Sequence, residues 1–134
     1  MDLNPKGISM FKIAVGIVLL ITSITYFVEG PASILADKKH PAEKKGIKSI
    51  NEDVSTQITF SNKSGKTIKV YWLDFEGDRV HYKTLEDKES YDQQTFLTHP
   101  WLITDENNDA WYVYFPDAQP RTVEIADPDK GKLE

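Results

Sequence analysis

Between Thr95 and Trp101 the chain sets hydroxyls, an imidazole and an indole within one short run, Thr-Phe-Leu-Thr-His-Pro-Trp. A histidine near a hydroxyl can exchange hydrogen bonds with a polar ligand, and an indole offers a flat apolar wall, so the run could hold a small hydroxylated ring. The same types in the same order also suit a core tryptophan beside a capped loop histidine. Acid–base catalysis would require a carboxylate such as Asp105 to orient His99, and no spacing ties the two together.

Other chemistry finds less support. His40, His81 and His99 are the only histidines, no His-x-x-x-His spacing occurs, and cysteine is absent, which argues against a metal site and excludes thiol nucleophiles and disulfides. There is no nucleophile elbow, phosphate-binding glycine loop or dinucleotide fingerprint. No catalytic residue, metal or cofactor is expected. A net charge of −5 without a basic stripe argues against nucleic acid as a partner.

The elements that must position these residues read as strands. From Val54 onward apolar residues alternate with polar ones over short runs, a period of two. "TQITFSN" sets Ile58 and Phe60 on one face, and "TIKVYWL" sets Ile68, Val70 and Trp72 on one face with Tyr71 and Leu73 on the other. The Lys63–Lys66 turn between them predicts a hairpin. "RVHYK", "DQQTFL", "WLITD", "WYVYF" and "RTVEIA" complete seven strands. The expected fold is all-β, a seven-stranded antiparallel β-sandwich preceded by one N-terminal hydrophobic helix.

Residues 1–36 contain the apolar run "IAVGIVLLITSITYFV", which reads as a signal peptide or an uncleaved signal anchor, and the absence of a clean small-x-small site favours the anchor. Lysines on both sides leave the orientation ambiguous. Residues 37–53, rich in lysine, read as a flexible basic linker; 54–126 form the sandwich, and 127–134 a frayed C-terminal tail. A membrane-anchored or exported domain, periplasmic or extracytoplasmic, is the expected setting.

Eleven aromatics from Tyr71 to Phe115 exceed what one small sandwich can bury, because alternation sends about half of each strand outward. Some of them must line a surface, which makes a binding groove competitive with simple packing.

Over roughly residues 49 to 126 the sequence resembles the β-domain of the von Hippel-Lindau tumour suppressor family, the substrate-recognition part of a ubiquitin ligase. "QITFSNKSGKTIKVYWLDFEG" is similar to the family's opening strands, "HYKTLEDKES" to its Tyr-x-Thr-Leu segment, and "TFLTHPWLITD" to its hydroxyl-aromatic-x-x-His-x-Trp-Leu segment. The resemblance implies binding of an extended peptide that carries 4-hydroxyproline. Trp72 would floor the proline ring, Tyr82 would meet the peptide backbone, His99 and Thr95 would meet the ring hydroxyl, and Trp101 would form a second wall. Thr95 stands in place of a family serine, Phe96 of a tyrosine, Gln94 of a histidine and Pro100 of an aliphatic residue, so the rim differs.

The expected function is therefore noncatalytic binding of an extended peptide or protein segment through Trp72, Tyr82, Thr95, Phe96, His99 and Trp101. The family's tumour-suppressor member continues into a helical domain that recruits the ligase, and no ligase assembly is implied here. A structural role in envelope assembly, and a hydrolase acting on envelope polymers, are the alternatives.

Overall fold

A computed structural model describes residues 37–132. The apolar N-terminal run lies outside the described residues, and among those described no helix is long and apolar enough to cross a membrane.

The seven strands form where the period-two runs occur: β1 (Ser55–Asn62), β2 (Ile68–Leu73), β3 (Arg79–Leu85), β4 (Ser90–Phe96), β5 (Trp101–Asp105), β6 (Ala110–Tyr114) and β7 (Arg121–Ile125). They make two sheets, ordered β4-β1-β7 and β3-β2-β5-β6. Between the sheets lie Ile58, Phe60, Ile68, Val70, Leu85, Trp101, Ile103, Val123 and Ile125, each at most 4% exposed, so one continuous apolar layer holds the domain.

Two expectations about strand partners are corrected. β1 and β2 do not form a hairpin: β1 pairs with β4 and β7, whereas β2 pairs with β3 and β5. The turn at 63–67 instead carries the chain from one sheet to the other, held by the fully buried Asn62. Its amide donates to the carbonyls of Lys66, Leu85 and Glu86, and its oxygen accepts from the Ser64 amide and hydroxyl. Nor is the sandwich wholly antiparallel, since β7 runs parallel to β1 with Phe60 opposite Val123. The crossing between Tyr114 and Arg121, stiffened by Pro116 and Pro120, brings β7 in along the free edge of β1 in the same direction.

The segment 37–53 departs from the loose linker that its composition suggested. It contains α1 (Pro41–Lys44), where His40 accepts from the Ala42 amide and Glu43 accepts from the His40 amide in a capping box. Glu43 is clamped by Arg79 through two contacts of 2.7 and 3.0 Å. The same guanidinium donates to the Asn108 and Lys38 carbonyls. Arg79 lies opposite Leu73 in the β2–β3 ladder, and Tyr71, also on this outer face, lies opposite Leu102 in the β2–β5 ladder. Leu73 and Leu102 are fully buried yet lie outside the inter-sheet layer, as expected where 37–53 covers that face.

Gly77 helps to admit the segment. Its φ is +88°, and a Cβ there would sit 3.1 Å from the Ile47 carbonyl oxygen, so a larger residue would push the segment away. The tail is also tied at its start, where Lys66 pairs with Asp127 at 2.6 Å.

Replacing Arg79 with alanine should release α1 without unfolding the sandwich. The expected loss is about 1–2 kcal/mol, because Glu43 regains water when the segment lifts away. Hydrogen exchange should quicken selectively at the amides of Ala110, which donates to the Lys38 carbonyl, and Ser49, which donates to the Asp74 carbonyl. Uniform protection across the variant would contradict the clamp.

Candidate functional site: a cleft between the β3 and β4 edges

β3 and β4 are edge strands of different sheets. Where the chain passes from β4 to β5 at residues 97–100 the sandwich opens into a cleft of about 210 Å³. Its lining is Glu52, Trp72, Tyr82, Gln93, Gln94, Thr95, Phe96, His99 and Trp101. All six residues singled out in the sequence therefore meet in one place, although β2, β3, β4, β5 and the 97–100 crossing supply them separately.

The walls are aromatic and mutually braced. The Trp72 ring lies 5.1 Å from the His99 ring at 30°, whereas Phe75 meets both edge-on. Tyr82 stands edge-on to Trp101 at 5.0 Å, and Phe96 closes on His99 at 5.2 Å. Such tilted and edge contacts suit ring quadrupoles and hold the walls without filling the space between them. Trp101 is shared with the core, at 2% exposure and 5.7 Å from Phe60, whereas Tyr82 is 42% exposed and faces outward.

The polar groups are placed by their supports. Trp101 Nε1 donates to Thr95 Oγ1 at 2.9 Å. A hydroxyl carries one proton and two lone pairs, so Thr95 retains an O–H to donate. Trp72 Nε1 donates to Ser49 Oγ, which in turn donates to the Leu73 carbonyl, both at 2.7 Å, and this fixes the indole. Thr98 donates to the Asn51 carbonyl and accepts from the Asn51 amide, tying the β4–β5 crossing to the N-terminal segment. Pro100 keeps its place because its carbonyl accepts from the Leu73 amide.

His99 is 5% exposed, and its Nε2 is buried without a hydrogen-bond partner among the described residues. Burial holds the imidazole below its ordinary pKa; the Glu52 charge and a hydrogen bond to the Asn51 backbone oppose this without reversing it. With the proton on Nδ1 towards Asn51, Nε2 is left as a bare acceptor. Thr95, which keeps an O–H to donate, and His99, with its bare acceptor nitrogen, thus both line the cleft beside the aromatic walls.

Asp105, the carboxylate that an acid–base reading would set against His99, does not join it. It ends β5, about 13 Å of strand beyond Trp101. There its Oδ1 accepts from the amides of Asn107 and Asp109 in the following turn. Among the described residues no group of three histidines or carboxylates is arranged to hold a metal ion.

Glu52 and Gln93 line the cleft without having been singled out in the sequence, and Ser49 and Asn51 support it. The lysine-rich setting of 37–53 masked three of them. Gln93 was discernible only as an inward position of β4, two residues from Thr95.

Two sheets with an aromatic-lined cleft between their edges define a recognition module of the β-sandwich class. The VHL beta domain family model matches residues 47–114, just over half of the chain, and the chain belongs to that family. In this family the β-domain is a substrate-recognition, protein-binding module. A search of curated proteins finds no match to the chain.

Proposed function

We propose that the domain is a noncatalytic reader of an extended peptide or protein segment, and that its cleft takes a hydroxylated proline ring. The observation that carries this reading is the buried, unpartnered Nε2 of His99 in a cleft that Thr95 also lines. A ring hydroxyl would accept from Thr95 and donate to His99. Plain proline would leave both groups unpaired, at a cost of roughly 1 to 3 kcal/mol, about a tenfold to hundredfold preference.

The segment would lie along the free edge of β4, whose outer backbone groups are unpaired by strand ladders, as other strand-adding modules receive their ligands. Display of this module from a membrane rests on the apolar run at 13–28 alone.

Tryptophan fluorescence tests the reading in solution. Titration of the full chain with a hydroxyproline peptide should shift the emission of Trp72, which is only partly buried and walls the cleft. The affinity should fall as the pH is taken below the ordinary histidine range. Protonation of His99, whose pKa burial has lowered, converts its acceptor into a donor in that direction. An emission unchanged at saturating peptide would contradict an accessible cleft.

A further inference from the structure

The cleft walls are neutral apart from one side chain, the carboxylate of Glu52. Glu52 is exposed, and among the described residues it forms no ion pair, whereas Glu43 and Asp37 from the same segment both engage Arg79. Its backbone is nevertheless anchored on both sides. The double hydrogen bond between Asn51 and Thr98 anchors the residue before it, and the Val54 carbonyl accepts the Leu97 amide just after it. The backbone anchors thus keep Glu52 at the cleft, near enough for its charge to act on His99. Asp53 beside it is likewise exposed and free of ion pairs among the described residues.

Further along the two edges lies a cation. Tyr91 shares the inward side of β4 with Gln93 and Thr95, and Lys83 of the facing edge strand places its ammonium 5.9 Å from the Tyr91 ring. Glu52 near His99 and Lys83 near Tyr91 thus place opposite charges at separate points along the two edges.

We propose that Glu52 sets the charge specificity of the cleft, which takes a segment carrying a lysine or arginine within a residue or two of its ring. This rests on the peptide-reading function above and adds the class of flanking residue to it. An anionic neighbour would face Glu52 with no lysine or arginine among the described cleft-lining residues to offset the repulsion. A cationic one would be neutralised, and it would also cancel the charge that favours protonation of His99, so that Nε2 stays an acceptor for the ring hydroxyl. Charge and hydroxyl recognition would then reinforce each other.

The test compares three hydroxyproline peptides, with lysine, glutamine or glutamate next to the ring, binding to the full chain at low salt. The lysine peptide should bind about fivefold tighter than the glutamine peptide and about tenfold or more tighter than the glutamate peptide, as expected for a pair at a partly exposed rim. Glu52→Gln should bring the three affinities together and Glu52→Lys should invert their order, with the spread shrinking as salt is raised. Equal binding of the three peptides by the unmodified chain, or a preference that survives Glu52→Gln, would overturn the charge assignment and leave the cleft's reading intact. Failure of all three to bind would overturn both.

Discussion

Trp101→Ala should destabilise the domain by about 3–5 kcal/mol, the usual cost of deleting a large aromatic from a packed interior. Trp101 belongs to the inter-sheet layer and contacts Phe60, so its loss opens a cavity that both sheets must relax around. Its removal also leaves the buried Thr95 hydroxyl without its indole donor and Tyr82 without a wall. Trp72→Ala provides the contrast: Trp72 is only partly buried, lines the cleft, and bonds through its indole to Ser49. It should cost about 1–2 kcal/mol. Urea denaturation of the full chain separates the two, and similar midpoints for both variants would contradict the division of Trp101 between core and cleft.

Asn62→Ala should cost about 3 kcal/mol, although it removes little apolar contact. Its side chain satisfies three carbonyls and the Ser64 amide and hydroxyl where β1, β2 and β3 converge, and buried groups left unpaired cost roughly 1–3 kcal/mol each, with incomplete additivity. Asn62→Asp is the sharper variant. It preserves shape but replaces the donor with an oxygen, so three carbonyls would face a negative charge, and at neutral pH it should be at least as destabilising as alanine. Thermal denaturation that showed Asn62→Asp close to the unmodified chain would contradict the assignment of the amide as donor.

The contrast between these two residues shows what could be read from the sequence. Period-two runs such as "TQITFSN" and "TIKVYWL" located β1 and β2 to within a residue or so, because alternation on a pleated strand follows from local geometry. Alternation assigns faces and says nothing of partners. Hence the turn between these strands read as a hairpin, although the buried Asn62 makes it a crossing, and the parallel β1–β7 pair was not anticipated.

The site was more legible than the topology. Trp72, Tyr82, Thr95, Phe96, His99 and Trp101 could be singled out by type and by their resemblance to the family pattern, and the fold brings them together. What stayed hidden was the N-terminal edge of the cleft. Ser49, Asn51 and Glu52 lie in a lysine-rich stretch whose average composition suggests a solvated linker. Single contacts override that average: Arg79 with Glu43, Trp72 with Ser49, and Thr98 with Asn51.

The central claim is that Thr95 and His99 select a hydroxyl on a ring held between aromatic walls. Calorimetric titration of the full chain with two peptides that differ only as proline or 4-hydroxyproline, repeated with His99→Ala, tests it most directly. The account predicts a tenfold to hundredfold preference for the hydroxylated peptide that disappears in the variant. Equal affinity for the two peptides, or no binding of either, would contradict it.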